Sequence, residues 1–289
     1  MKIRDIASAG KISFSCEVFP PKKESDFAPI ESAVREIARL RPDFMSVTCG
    51  AGGGACGTTG AVASLIQNEC GVTALAHLTC VSATKDAVAA TLEEFTAAGV
   101  ENVLALRGDI PEGAGDLPRD YRHASDLILD LRARRGDALC IGGACYPEGH
   151  PESPSRAEDI RRLKEKVDCG LDFLTTQMFF DNSVLYSYLS RIRAAGVHVP
   201  VVAGIMPVTN AKQIGRIIAL SGTSLPPRFR MILDKFSDRP AAMKQAGVAY
   251  ATEQIIDLIA NGVEGIHLYT MNKPDVAARI KASLSDILG

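Results

Sequence analysis

A carboxylate stands at the end of the first apolar segment of the chain, in Phe14-Ser15-Cys16-Glu17-Val18-Phe19-Pro20-Pro21-Lys22. The apolar residues Ile12, Phe14, Cys16 and Val18 alternate as a strand requires, and two prolines that cannot donate to a sheet ladder end it. Glu17 therefore sits at the carboxyl end of a buried element. Burial disfavours the charged form, so its pKa is expected to rise toward neutrality, where a carboxyl group can donate a proton near pH 7. A strand-end glutamate held in a salt bridge is the other reading, and this segment alone leaves both open.

Other polar groups follow apolar runs in the same way. Arg107-Gly108-Asp109 comes directly after Val103-Leu104-Ala105-Leu106, and Pro111 turns the chain outward. The glycine lets backbone approach a ligand closely while Arg107 and Asp109 meet its polar groups; an ordinary Arg–Asp pair in a turn is the alternative. Tyr146-Pro147-Glu148-Gly149-His150-Pro151 reads as a shaped loop presenting an aromatic ring and an imidazole, although a lone loop histidine is usually just solvated. Lys166, taken alone, reads as surface charge. Gln177, followed by Met178-Phe179-Phe180-Asp181, either caps its own loop or meets the amide edge of a flat heterocycle, and the neighbouring Met and Phe also suit a core. The run Gly50-Ala51-Gly52-Gly53-Gly54-Ala55 matches a dinucleotide fingerprint only in its glycines. No acid ends the next strand, so it is read as a loop at the mouth of the fold. The eight cysteines are scattered with no C-x-x-C pair and read as free thiols; His77-x-x-Cys80 lacks a second pair to complete a metal site.

The elements that must position these residues repeat with one rhythm. Strands are expected at Ile12–Val18, Phe44–Val47, Ala74–Leu78, Asn102–Leu106, Cys140–Ala144, Phe173–Thr176, Val201–Gly204 and Gly265–Leu268. Helices are expected near 29–40, 58–69, 85–98, 123–135, 155–169, 183–195, 210–220 and 274–287, several of them stopped by Gly71, Gly99, Gly136, Gly170 or Gly196. Eight βα units predict an α/β fold of the (β/α)8 TIM-barrel type, one domain over residues 1–289, with a doubly wound open sheet as runner-up. The extra length between strands seven and eight, broken at Pro226-Pro227, predicts added helices. Barrel closure would gather Glu17, Thr48, His77, Arg107, Asp109, Tyr146, Gln177 and Tyr269 around one face. With 289 residues, 46% hydrophobic, and a net charge of -2, the chain has no electrostatic footprint for nucleic acid. It has no apolar run long enough for a membrane span and no signal-peptide core at Met1-Lys2-Ile3-Arg4-Asp5, so a cytoplasmic location is expected.

Taken together, the Glu17 segment, Ser46-Val47-Thr48, Ala76-His77-Leu78-Thr79-Cys80, Leu106-Arg107-Gly108-Asp109, Tyr146 to Pro151 and Thr176-Gln177 resemble the methylenetetrahydrofolate reductase family. The likeness continues through Gly204-Ile205-Met206-Pro207-Val208 and His267-Leu268-Tyr269-Thr270-Met271-Asn272. The resemblance implies an FAD-dependent barrel enzyme that reduces 5,10-methylenetetrahydrofolate to 5-methyltetrahydrofolate. By that resemblance Glu17 is the general acid that protonates N10, opening the ring to an iminium that takes hydride from the reduced flavin. Asp109 lies near flavin and pterin and tunes both, Gln177 bonds the pterin, and Tyr269 lines the substrate face. Thr48, His77, Arg107, Gly108, Asp109, Ala124, Tyr146, His150, Asp159 and Lys166 match positions that the resemblance implies would hold FAD. No metal is implied. Two positions depart from the family: Ala211 where a phenylalanine can stack on nicotinamide, and Lys273 where an arginine can contact substrate. NADH, NADPH and a protein electron donor therefore all stay open, as does a non-catalytic flavin- or folate-binding subunit of a larger assembly. A Schiff-base lyase is disfavoured because no lysine ends a predicted strand. A homo-oligomer or a companion subunit is compatible with the resemblance. The chain ends soon after its eighth helix, which predicts that the regulatory domain of eukaryotic members is absent.

Overall fold

The computed structural model describes residues 1–21, 26–49, 57–110 and 120–289. Eight parallel strands close into a barrel in chain order: β1 (Ser13–Val18), β2 (Phe44–Val47), β3 (Thr73–Thr79), β4 (Asn102–Leu106), β5 (Cys140–Cys145), β6 (Phe173–Thr176), β7 (Val201–Ile205) and β8 (Gly265–Tyr269). This is the expected (β/α)8 architecture. β2, β4 and β6 begin and end at the expected residues, because apolar runs bounded by turn residues mark a buried parallel strand sharply. The barrel closes where β8 pairs with β1, from Ser13 opposite Gly265 to Glu17 opposite Tyr269.

The helices are α1 (Ile3–Ala7), α2 (Phe27–Ala38), α3 (Gly57–Ser64), α4 (Lys85–Ala97), α5 (Ala124–Arg135), α6 (Arg156–Asp168), α7 (Asn182–Ala194), α8 (Ala211–Ser221), α9 (Pro227–Phe236), α10 (Pro240–Ala260), α11 (Pro274–Ser283) and α12 (Ser285–Leu288). α3 runs on as a π-helical turn over Leu65–Glu69. Side-chain oxygens of Thr84, Ser155, Asp181 and Asn210 accept from free backbone N–H groups at the starts of α4, α6, α7 and α8. Gly99 and Gly196, at φ 72° and 81°, end α4 and α7 in the left-handed region that a side chain would strain.

Two apolar layers hold the barrel. Outward-facing strand residues such as Phe14, Cys16, Met45, Val103, Leu174 and Ile266 pack under the helices. Inside, the amino-terminal end is filled by Phe44, Leu75, Leu104, Cys140, Phe173 and Val202, and Ile3 and Ile6 of α1 plug it. Asn102 holds α1 in place: its Oδ1 accepts from the Ile3 N–H at 2.9 Å, and its Nδ2 donates to the Met1 carbonyl at 3.1 Å. This five-residue helix was not expected, being too short to show a period.

The helices expected between β7 and β8 are α9 and α10, and Pro226 precedes the first turn of α9 as the proline break suggested. α10 comes so close to the segment after β7 that a Cβ on Gly247 would lie 1.9 Å from the Val208 carbonyl oxygen. Backbone is the obstacle there, so no rotamer change relieves it. Gly247→Ala is therefore expected to destabilise the protein by about 1–3 kcal/mol, the usual penalty of overpacking. A urea midpoint equal to that of the parent protein would contradict this close approach.

Candidate active site

Side chains alternate along a strand, so while Phe14, Cys16 and Val18 pack outward, Ser15 and Glu17 face the barrel interior. β1 register places Glu17 beside Ser46 of β2 and Tyr269 of β8. Its carboxylate is mostly buried and meets a small polar cluster. Ser46 Oγ lies 3.3 Å from Glu17 Oε2, His77 Nε2 lies 3.5 Å from it, and His267 Nε2 lies 3.8 Å from it. His267 is itself fixed on both ring nitrogens, with Nδ1 2.7 Å from Ser15 Oγ and Nε2 3.0 Å from Ser46 Oγ. Its ring stacks on Phe44 and meets Tyr269 edge-on, each at 5.6 Å between centroids.

This environment overturns the expected direction of the Glu17 pKa. Burial does push it up, but His267, the charge of a protonated His77, and the Ser46 hydroxyl outweigh burial and hold the carboxyl below its ordinary value. Burial pushes His77 down to about 4, so at pH 7 that ring is neutral. His77 Nε2 has no hydrogen-bond partner among the described residues. Tyr269, whose hydroxyl donates to the Thr176 carbonyl at 2.6 Å, is held well above its ordinary pKa by burial, with Glu17 adding to the effect. Gly204 makes room for that ring, since a Cβ there would lie 2.4 Å from the Tyr269 hydroxyl.

A cleft of about 450 Å³, whose lining includes none of these residues, opens over the ends of β4 and β5. Arg107, Ala124, Tyr146, His150, Asp159 and Lys166 all line it, so six residues scattered along the sequence come together. Ala124 is there as the first residue of α5, whose amino terminus favours an anion. Tyr146 and His150 meet edge-on at 4.6 Å, and burial lowers the His150 pKa. Lys166 is no surface charge: its ammonium donates to the Ala144 carbonyl, and burial lowers its pKa. Arg107 does not pair with Asp109. It grips Glu152 through two bonds of 2.6 and 2.7 Å, and Asp109 stands exposed on the loop after β4. Gly108 takes φ 86° between them, and a Cβ would lie 2.9 Å from Val81 Cγ1.

The remaining expected residues fall elsewhere. Thr48 follows β2, where its N–H donates to the Val18 carbonyl and its own carbonyl accepts from Thr59. Gln177 caps its own loop, its Oε1 accepting from the Met178 N–H at 2.9 Å. Lys273 donates to Thr209 at 2.7 Å, and with Ala211 it lines a separate cavity of about 460 Å³ between the starts of α8 and α10. The glycine run 50–55, Lys22 and Pro111 lie outside the described residues. Cys16, Cys70, Cys80, Cys140, Cys145 and Cys169 are free thiols. Ser15, Ser46 and His267 lie within the motifs but were expected to have no role of their own. The signal was present in the alternation, which puts Ser13, Ser15 and Glu17 on one face of β1 and His267 and Tyr269 on one face of β8.

Residues 2–285 match the family model described as methylenetetrahydrofolate reductase. The 5,10-methylenetetrahydrofolate reductase of Escherichia coli K12 is 32% identical over 271 residues, covering 94% of this chain and 90% of the relative. Methylenetetrahydrofolate reductase (NADH) 1 of Arabidopsis thaliana is 33% identical over 295 residues, covering 98% of this chain and 50% of the relative. The chain thus spans about half the length of the plant and fission-yeast relatives it matches. Among solved structures, an uncharacterized Clostridium thermocellum protein that binds two copies of 5-methyl-5,6,7,8-tetrahydrofolic acid superposes with TM-score 0.66 at 15% identity. It covers 100% of this chain and 99% of its own, a likeness of fold alone. No helix among the described residues is long and apolar enough to cross a membrane.

The buried neutral His77 makes stability depend on pH. Unfolding raises its pKa from about 4 toward the ordinary 6.5, so the unfolded chain takes up a proton that the folded one refuses. Stability is therefore expected to fall as pH drops from 6.5 to 4, by up to ~1.4 kcal/mol per pH unit for this one group. Denaturant titrations of His77→Gln should show a flatter dependence over that window; an unchanged slope would mean that His77 is protonated in the folded protein.

Proposed function

The chain belongs to the methylenetetrahydrofolate reductase family, and on that premise we propose that it reduces 5,10-methylenetetrahydrofolate to 5-methyltetrahydrofolate with bound FAD. The observation that carries this reading is the placement of Glu17. It is an acid at the carboxyl end of a barrel strand, with a side chain 20% exposed, at the same end of the barrel as a cleft lined by cations and aromatic rings.

The cleft residues suit a flavin dinucleotide. Arg107 and Lys166, with the amino terminus of α5 at Ala124, offer positive charge and backbone N–H groups to a pyrophosphate. Tyr146 and His150 offer flat apolar surface, and Asp159 offers an acceptor for ribose hydroxyls. The unpartnered Nε2 of buried His77 is a polar atom awaiting a ligand. Thr48, Gly108 and Asp109 complete the set, from the loops after β2 and β4. Bound FAD supplies the hydride for the methylene carbon.

The chain's own residues carry the rest. Glu17 gives a proton to N10 of the folate, which opens the five-membered ring and leaves the methylene carbon electrophilic. Tyr269, locked to the Thr176 carbonyl, keeps a rigid wall beside that proton transfer. Gln177 offers its amide to the pterin edge, and Asp109 sets the charge felt by pterin and flavin. Lys273 stands at the other cavity as a cation for the substrate's anionic end. The same cavity contains Ala211, which provides no aromatic face for a nicotinamide. That observation favours keeping a companion electron donor as a second reading beside NADH or NADPH.

Purified protein is expected to be yellow, and colourless protein would sink the flavin reading. Glu17→Gln should keep FAD bound and reducible while slowing folate reduction by about 10²–10⁴-fold, the range of a positioned acid. Near-normal folate turnover in that variant would remove Glu17 from the reaction. Stopped-flow reduction of the flavin by NADH, NADPH and a low-potential protein donor separates the two electron sources.

A further inference from the structure

An acid that must give up a proton at neutral pH sits here among groups that favour its charged form. The hydrogen-bond geometry around it shows how both requirements are met. Ser15 Oγ lies 3.0 Å from the Ile266 carbonyl, which can only accept, so the single serine hydrogen goes there. The 2.7 Å contact of Ser15 Oγ with His267 Nδ1 then requires the proton on Nδ1. Two arrangements remain for Nε2. If it is bare, the Ser46 hydroxyl donates to it at 3.0 Å, and Ser46 turns only lone pairs toward Glu17, 3.3 Å away. Glu17 must then carry a proton. If Nε2 is protonated, it donates to Ser46, and the Ser46 hydroxyl donates to an ionised Glu17. A neutral His267 beside an ionised Glu17 would set lone pair against carboxylate. The geometry therefore assigns one proton to the pair.

We propose that His267 and Ser46 are positioning residues that form a proton relay, storing on His267 the proton that Glu17 delivers to substrate. This rests on the reading of Glu17 as the acid. In the open site, water reaching the partly exposed carboxylate favours the ion pair of Glu17 and imidazolium. A substrate that covers the mouth removes that water, and a buried ion pair then gives way to its neutral form. The His267 Nε2–H bond breaks as a Ser46 O–H bond forms, and the original Ser46 O–H breaks as the Glu17 O–H forms. No charge is gained or lost by the pair, and His267 is left neutral with Nδ1–H still on Ser15. The other titratable groups facing the pair are His77 from β3 and Tyr269 from β8, with Phe44 of β2 as the apolar wall.

Two measurements test the relay. The protein has five histidines, so ¹⁵N-histidine spectra are assignable, His267 by comparison with His267→Gln. At pH 7 the resting protein should show both His267 ring nitrogens protonated, and Glu17→Gln should strip the proton from Nε2 alone. Identical His267 signals in the two proteins, or a bare Nδ1, would overturn the proposal whether or not the protein reduces folate. In Ser46→Ala, folate reduction should fall at least tenfold at pH 7.5 and recover about tenfold per pH unit on acidification, because only Glu17 protonated from solvent then reacts. The parent profile should be flatter. A Ser46→Ala profile parallel to that of the parent at a constant offset would mean a structural role only, and would also overturn it.

Discussion

The pairing of β8 with β1 is the contact on which the site depends. It joins Ser15 and His267, 252 positions apart, in one hydrogen bond inside the barrel, and sets Glu17 opposite Tyr269. A slip of one residue in that register would turn Ser15 and Glu17 out toward the helices and bring Cys16 in. Two devices fix the register. Phe14, Cys16 and Val18 are fully committed to the outer core, and the interior serines and histidine satisfy one another only in this alignment.

The barrel interior is divided along its axis, and the division follows from what each end must do. The amino-terminal end is apolar, filled by Phe44, Leu75, Leu104 and Phe173 and closed from below by Ile3 and Ile6. The carboxyl end holds Ser46, His77, His267, Glu17 and Tyr269. A sealed apolar floor excludes water from beneath the polar layer, so interactions among these groups are stronger than they would be on a surface. Burial there drives His77 neutral, while for Glu17, a few ångströms away, the surrounding polar groups outweigh the same burial and hold its pKa below the ordinary value.

Beyond the interior, helix termini and loops extend the site. The start of α5 and the inward-turned Lys166 bring positive charge to the cleft over β4 and β5, and Glu152 occupies the Arg107 fork as a planar two-oxygen acid can. A ligand anion competing for Arg107 must displace that carboxylate. On the other side, the backbone contact of α10 with Val208 steadies the segment carrying Thr209 and Ala211, so the added helices shape a second cavity besides covering the barrel.

By itself the sequence determined the barrel, most of its elements and the placement of Glu17. Those properties are local and periodic: strands and helices announce themselves by spacing, glycines stop helices, and prolines end β1 and open α9. It did not reveal α1, whose five residues are too few for a period. Nor did it reveal that Arg107 would choose Glu152, 45 positions on, over its near neighbour Asp109. His267 read as part of an apolar strand because a single imidazole between Ile266 and Leu268 has no local partner. Only the closed barrel decided that Ser15 and Ser46 would take both its nitrogens, and that Glu17 would be pulled toward its charged form. Burial can be read from a strand pattern, but the sign of a pKa shift depends on which dipoles and charges surround the group, and long-range packing alone selects them.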